Sequence, residues 1–281
     1  MSFVTGHILL ALAIGLVTGL FSGAFGIGGG TVSTPLLRLT LNISPHVAVG
    51  TTMALIIPTS ISGTFNYIRK QEIDLKMGFT MVSPAVLGVI LGAIATTFVH
   101  GTALMLSFAA FVCVAGLDLT FGVVLKLFAR SAEKHSDNTA VQIEELEQAE
   151  DNRQILGNLS KRTIKLLLIG LFAGFMAGFF GVGGGFIFVP CLMYLFKTPI
   201  KTAFGTSLLV VAAISIPGTI THAIASHVDF PLMFAMMFGS IPGSFLGSTL
   251  ALRLKDSWLR RGFGIVMLIV AASLAYNELL L

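Results

Sequence analysis

The chain carries the same glycine cluster twice, and this repetition limits its fold more than any other feature. Residues 23–35 read GAFGIGGGTVSTP, and residues 178–190 read GFFGVGGGFIFVP. With a constant offset of 155, residues 15–92 align with 170–247 without a gap and are identical at 24 of 78 positions. Glycine, proline and aspartate match repeatedly at this one offset, which chance similarity between apolar sequences does not explain. We therefore interpret the chain as two copies of one structural unit.

Both glycine clusters lie inside apolar segments, in a chain that is 55% hydrophobic and only 11% charged. Soluble domains have about 25% charged residues, and a helix needs about 20 apolar residues to cross a bilayer. The sequence therefore predicts a multi-pass membrane protein, with the lipid bilayer as its surroundings. The formal charge of +4 sits in loops rather than along one face, so we expect no nucleic-acid partner. The apolar stretches are 46–68, 77–99, 102–125, 202–225, 231–252 and 259–280, with two longer ones, 7–41 and 163–196, that contain the glycine clusters.

The distribution of Lys and Arg indicates how the two copies are oriented, because cytoplasmic loops carry an excess of both residues. If segments 7–41 and 163–196 each crossed the membrane once, the 17 basic residues would divide ten to seven between the two sides. If each segment instead enters and returns, they divide sixteen to one, with Arg38 alone on the minority side. We therefore predict inverted repeats, with both termini outside and the linker between the copies in the cytoplasm.

The predicted fold is an all-α membrane protein that forms a single integral membrane domain over residues 1–281. Repeat 1 covers residues 5–129 and repeat 2 covers 162–281, and each is a glycine-broken helical hairpin plus three transmembrane helices. Residues 130–161 form an acidic cytoplasmic linker that holds seven of the 13 acidic residues. We interpret this linker as a spacer; the alternative is a regulatory or partner-binding segment.

The glycine runs are the first candidate binding site. Consecutive glycines break a helix, and the arm that follows the first run has eleven residues, or about 16 Å of helix. Bare backbone at membrane depth must line a cavity or be buried in protein, and broken helices at a repeat interface mark substrate sites in transporters. Helix N-termini favour anions, so two opposed tips near the midplane predict an anion site; the alternative is that the glycines only allow tight packing. The candidate residues are Gly28, Gly29, Gly30, Gly183, Gly184 and Gly185.

Hydroxyl side chains in a second repeated motif could complete this site. The motif reads AVGTT at 48–52 and AFGTS at 203–207, and it supplies Thr51, Thr52, Thr206 and Ser207. The alternative is that these hydroxyls bond the backbone four residues earlier in their own helices.

Titratable residues are scarce in the apolar segments. Asp118 is the only acidic residue well inside one, and we interpret it as a group for proton coupling or as an acceptor for a neighbouring helix. Asp74 and Asp229 precede helices and fit N-terminal caps, while His222 and Tyr67 lie near helix ends and fit the membrane interface. Without clustered His, Asp, Glu or Cys, we expect no metal, no cofactor and no enzymatic activity.

The paired motifs resemble a known family. FGIGGG…P and FGVGGG…P, each followed by AVGTT or AFGTS and then by SGT or PGT, are similar to the TauE/SafE sulfite-exporter-like family (TSUP). This resemblance implies a bacterial-type inner-membrane transporter of small sulfur-containing anions: sulfite, sulfate, thiosulfate or an organosulfonate such as sulfoacetate. The family is often described with eight spans in two four-span halves. The charge count departs from that scheme and requires each glycine-bearing segment to return.

The predicted mechanism is alternating access. A small anionic substrate enters between the two hairpin tips, and one repeat then rocks against the other to expose it on the opposite side. The alternative is an anion or small-solute channel of the same architecture. A homodimer is a candidate assembly.

Overall fold

The computed structural model describes residues 2–121 and 147–280, and within these ranges all regular secondary structure is α-helical. This confirms the all-α fold and its hairpins of one long and one short helix. Residues 130–146 of the predicted linker lie outside the described residues, whereas residues 147–161 form the start of a helix. The first repeat contains α1 (Ser2–Phe25), α2 (Gly30–Leu41), α3 (Pro45–Arg69), α4 (Leu75–Thr96) and α5 (Gly101–Phe121); the second contains α6 (Glu147–Phe180), α7 (Gly185–Leu195), α8 (Ile200–Ile224), α9 (Phe230–Arg253) and α10 (Asp256–Leu280).

Seven of the described helices are long and apolar enough to cross a membrane: α1, α3, α4, α6, α8, α9 and α10. Helix α7 is apolar but has only 11 residues, so it cannot cross alone. These lengths confirm a multi-pass membrane protein.

The duplication is visible in the backbone as well as in the sequence. Ten of the described residues have a positive φ, and they form five pairs that are each separated by 155 positions. Three pairs are tip glycines, and the other two lie in turns where side chains adopt a conformation that normally favours glycine. The two copies therefore share their turn geometry even where their sequences differ. The pairs are Gly26 and Gly181, Gly28 and Gly183, Gly29 and Gly184, Asn42 and Lys197, and Gln71 and Ser226.

The first helix of each repeat packs along the fourth helix of the other repeat. A Cβ atom placed on Gly19 of α1 would lie 2.2 Å from the carbonyl oxygen of Ser240 in α9. Gly15 and Gly23 face α9 in the same way one turn earlier and one turn later, so the two helices run parallel. Helices α6 and α4 repeat this contact, with Gly174 against the carbonyl of Ala85. Glycine is required at these positions because the neighbouring backbone occupies the space of a side chain.

The central helices α3 and α8 are equivalent in the two repeats, and they run antiparallel. A Cβ atom on Gly218 would touch Met53 near the start of α3, whereas one on Gly205 would touch Tyr67 near its end. Between these contacts, Gly63 packs against Leu208. These two equivalent helices therefore run in opposite directions through the molecule.

The turns gather at two opposite ends. At the basic end, formed by residues 69–76, 196–202 and 253–261, the Thr202 hydroxyl donates to Glu72 at 2.7 Å and the Lys201 ammonium donates to the carbonyl of Leu252 at 3.2 Å. At the histidine end, formed by residues 42–46, 97–101 and 225–229, the Nε2 atom of His46 lies 3.1 Å from the carbonyl oxygen of Val99.

Candidate functional site

The two glycine tips are in direct contact. A Cβ atom on Gly30 would lie 2.5 Å from the Cα atom of Val182 and 2.7 Å from the carbonyl oxygen of Gly181. Reciprocally, a Cβ atom on Gly185 would lie 2.5 Å from the Cα atom of Ile27 in the first tip. The N-terminal ends of the short helices α2 and α7 therefore meet, which brings the six candidate glycines together.

The tip backbone has a shape that glycine adopts readily. Gly29 and Gly184, the N-caps of α2 and α7, have φ values of 93° and 74°. Gly28 and Gly183, with φ values of 76° and 77°, both pack against Ile56 and its equivalent Val211. The first N–H groups of a helix have no partner within it, so each tip presents donors and the positive end of a helix dipole.

The four candidate hydroxyls join the two repeats, and we call them the repeat clasp. Thr52 donates to the carbonyl of Gly181 at 3.0 Å, and its equivalent Ser207 donates to the carbonyl of Gly26 at 2.8 Å. The Thr51 hydroxyl accepts from the backbone N–H of Asp229, and the Thr206 hydroxyl accepts from that of Asp74, both at 2.9 Å. Each of these bonds crosses from one repeat to the other.

The glycine of the same motif lets the opposite repeat approach. A Cβ atom on Gly50 would lie 2.2 Å from the carbonyl oxygen of His227, and one on Gly205 would lie 2.1 Å from that of Glu72. In the same turns, the Asp74 carboxylate accepts from the N–H of Met77, and the Asp229 carboxylate accepts from that of Leu232. The predicted helix caps are therefore confirmed.

Buried hydroxyls beside the first tip were not predicted from the sequence. Thr18, Ser22, Thr31 and Ser60 are fully buried, and none of their hydroxyl oxygens has a hydrogen-bond partner in the structure. A Cβ atom on Gly29 would lie 2.9 Å from the Cγ2 atom of Thr18 and 3.6 Å from the Oγ atom of Ser22. We call these four residues the first-tip hydroxyls. A comparison of the repeats for polar residues that differ, rather than for identities, would have found Thr18, Ser22 and Thr31, but not Ser60, whose equivalent Ser215 is also serine.

Two residues assigned to the membrane interface are buried instead. Tyr67 is fully buried and donates to the carbonyl of Gly23 at 3.0 Å. His222, its equivalent in the second repeat, is also fully buried, with Nε2 2.9 Å from the carbonyl oxygen of Gly178. The interface prediction was wrong for both, because each side chain turns inward to bond the hairpin of its own repeat. Asp118 belongs to α5, but its side chain lies outside the described residues.

Three histidines from different parts of the chain meet at the histidine end. The rings of His46 and His227 are 5.1 Å apart between centroids, and those of His222 and His227 are 5.9 Å apart. Burial lowers the pKa of His227, and the neighbouring His46 lowers it further. The Nδ1 atoms of His222 and His227 are buried without a hydrogen-bond partner in the structure.

A cavity opens at each end of the molecule. The cavity at the basic end has a volume of about 560 Å³ and is lined by Asn66, Arg69, Lys70 and Arg253, among others. The cavity at the histidine end has a volume of about 530 Å³. The three cationic side chains of the first cavity outnumber its one carboxylate, Glu72, and this excess of positive charge would attract anions from solution.

The chain matches the family model described as Sulfite exporter TauE/SafE over residues 11–274. It is 28% identical over 284 residues to the probable membrane transporter protein YunE of Bacillus subtilis (strain 168), covering 99% of this chain and 98% of that protein. It is 27% identical over 267 residues to a probable membrane transporter protein of Xylella fastidiosa (strain 9a5c), covering 94% of this chain and 93% of that one. It is also 26% identical over 223 residues to the probable membrane transporter protein MJ0441 of Methanocaldococcus jannaschii, covering 77% and 73%. No solved structure matches.

The family match spans nearly the whole chain, including both hairpins and the repeat clasp. The relatives bear the names of membrane transporters, and seven of the described helices are long and apolar enough to cross a membrane. The chain belongs to the sulfite exporter TauE/SafE family of membrane transporters.

Proposed function

We propose that this protein is a secondary transporter that moves a small sulfur-containing anion across the cytoplasmic membrane by alternating access. The substrate class is sulfite, sulfate, thiosulfate or an organosulfonate. Backbone N–H groups of Gly28–Gly30 and Gly183–Gly185 hold the anion between the opposed tips, close to the repeat clasp.

The contact between the two tips carries this proposal. Helices α2 and α7 begin at Gly30 and Gly185, which lie against the opposite tip, so two positive helix ends converge within the protein. An anion is the ligand that such an arrangement stabilises without a cationic side chain. The clasp bonds join each tip to the opposite repeat, and we expect them to exchange when the repeats rock.

The proposed orientation places the basic end in the cytoplasm and both termini outside. Sixteen of the 17 Lys and Arg residues then fall on the cytoplasmic side, together with the acidic linker. The antiparallel directions of α3 and α8 support inverted repeats in the membrane. A homodimer is a candidate assembly, to be tested by the mass of the protein in detergent.

Counterflow in proteoliposomes tests the proposed transport. Vesicles loaded with unlabelled sulfite, sulfate, thiosulfate or sulfoacetate are diluted into a trace of the same anion labelled with ³⁵S. An alternating-access carrier accumulates the label transiently and saturably, and we expect this for at least one of the four anions. Acetate and phosphate serve as controls for selectivity.

Two other outcomes would contradict this expectation. Ohmic single-channel current carried by the anion would establish the channel, and no flux of any of the four anions would exclude the substrate class. Repeating the assay with Asp118→Asn across a range of pH tests proton coupling, because an unchanged pH profile removes Asp118 from that role.

A further inference from the structure

The two tips differ sharply in polarity although their backbones are equivalent. Thr18, Ser22 and Thr31 of the first repeat correspond to Ala173, Ala177 and Phe186 of the second. Phe186 fills its position by packing against other rings, with Phe108 and Phe111 at centroid distances of 6.0 and 5.3 Å. At these three positions, therefore, the first tip has hydroxyl side chains where the second has apolar ones.

Ser60 is the one first-tip hydroxyl with a polar equivalent, and the two serines behave differently. The Ser215 hydroxyl donates to the carbonyl of Val211 at 2.6 Å within its own helix. The Ser60 hydroxyl has no partner, and a Cβ atom on Gly28 would lie 3.4 Å from its Oγ atom. Ser60 thus presents its hydroxyl beside the first tip, whereas Ser215 is satisfied by its own helix.

The same asymmetry extends towards the basic end. Ser240, Ser244 and Ser248 of α9 are fully buried along one face, and their equivalents in α4 are Ala85, Val89 and Ala93. Thr59 donates to Ser240 at 3.0 Å, and Asn66 donates to Ser248 at 2.8 Å. Asn66 also lines the basic cavity and lies six residues along α3 from Ser60, or about 9 Å of helix. A row of buried polar side chains on α3 and α9 therefore lies between that cavity and the first tip.

Unpartnered buried hydroxyls are costly to a fold, since each gives up its hydrogen bonds to water. Four of them around one helix N-terminus indicate a bound group that accepts hydrogen bonds. The converging N–H groups and the helix dipole repel a cation. A small oxyanion, whose several oxygens each accept hydrogen bonds, fits hydroxyl and N–H donors together.

We propose that the protein has a single oxyanion site, formed by the first-tip hydroxyls with the N–H groups that begin α2, and that the second tip supports it without binding. This refines the proposed function and rests on it. The anion reaches the site from the basic cavity. The second hairpin contributes an apolar wall that excludes water.

The test measures thermal stabilisation of the purified protein in detergent, titrated with sulfite, sulfate, thiosulfate and sulfoacetate. The first variant is Thr18→Ala with Ser22→Ala, which installs the residues that the second repeat already has. The second variant is Ser60→Ala, with Ser215→Ala as its matched control. We expect both first-tip variants to weaken binding about tenfold or more, the range for hydrogen bonds to a charged group, and Ser215→Ala to bind like the wild type.

Stability without anion provides an independent readout. Because the first-tip hydroxyls have no partner in the protein, their removal should leave the melting temperature unchanged or raise it. Ser215→Ala loses a satisfied hydrogen bond and should lower the melting temperature slightly.

Each remaining outcome overturns a defined claim. If an anion stabilises the wild type and stabilises both first-tip variants to the same extent, the single site is wrong while the proposed substrate class stands. If Ser215→Ala loses binding as strongly as Ser60→Ala, the two tips share the anion. If no anion of the panel stabilises the wild type, the proposed substrate class fails and the single site fails with it.

Discussion

Thr52 and Ser207 show what a duplicated sequence reveals at the scale of the residue. They are equivalent, and each donates to a tip carbonyl of the opposite repeat. The sequence selected them as candidate substrate ligands because they lie in a repeated motif, but it did not predict their bonds to the opposite repeat. In this protein, these equivalent hydroxyls connect the two repeats. Thr18 and Ser22 escaped prediction because they align with alanines, so the information lay in a difference between the repeats.

The direction in which a side chain points is the second property of single residues that the sequence did not predict. Asp74 and Asp229 were predicted as caps because a carboxylate before a helix bonds locally, and local bonds depend only on neighbouring sequence. Tyr67 was misplaced because its position near a helix end says nothing about which way the ring points. Its inward bond to Gly23 depends on a hairpin 44 positions away.

The pH dependence of stability provides a test of the histidine contact. The pKa of His227 is lowered in the folded protein, so the unfolded chain binds more protons as the pH falls below about 6.5, the ordinary value for histidine. Stability is therefore fully present above that pH and declines as the pH drops towards the lowered pKa. We expect His227→Gln to flatten this decline between about pH 6.5 and 5, as measured by melting temperature. Equal pH profiles for the two proteins would contradict the assignment.

Helix bounds were predictable at the scale of the element, whereas helix partners were not. Hydropathy placed five of the six ordinary spans within a few residues, because a bilayer demands long apolar runs whatever their neighbours are. The sixth, 102–125, begins with α5, but its predicted end lies outside the described residues. Partner choice depends on which glycine face meets which backbone, and such faces occur on α1, α4, α6 and α9 alike. The pairing of α1 with α9 therefore needed the structure.

Substitution of a single interface glycine tests this packing. In Gly19→Ala the new Cβ atom would lie 2.2 Å from the carbonyl oxygen of Ser240, so α1 and α9 must separate. We expect a loss of about 1–3 kcal/mol, the usual cost of overpacking. The matched control is Gly262→Ala in α10, where the new atom meets only the ring of Phe25 at 3.4 Å or more. Unfolding in detergent compares the two, and equal stabilities would exclude the close α1–α9 contact.

The two repeats are interlocked at the scale of the whole molecule. Helix α1 lies on α9, α6 lies on α4, and the clasp bonds cross the boundary in both directions. Neither repeat alone covers its glycine faces or satisfies its tip carbonyls. Sequence repetition predicted two units, but it could not predict that each unit completes the other.

Cutting the chain in the linker tests this interdependence. When residues 1–134 and 135–281 are produced as separate polypeptides, we expect neither to accumulate alone and both to accumulate together in the membrane. Co-purification through a tag on one half measures the assembly. A stable monomeric half would show that the inter-repeat contacts are dispensable.

The parallel contact between α1 and α9 also determines the order in which the protein can assemble on the ribosome. Helix α6 is synthesised after its partner α4. Helix α1, by contrast, is synthesised before its partner α9, which ends at Arg253, 228 residues after Phe25. At typical elongation rates this gap lasts roughly 10–45 s. During that time the glycine face of α1 must lie against lipid, the insertion machinery or another early helix. Helix α1 is thus made long before its partner, and the contact between them cannot form until α9 has been synthesised.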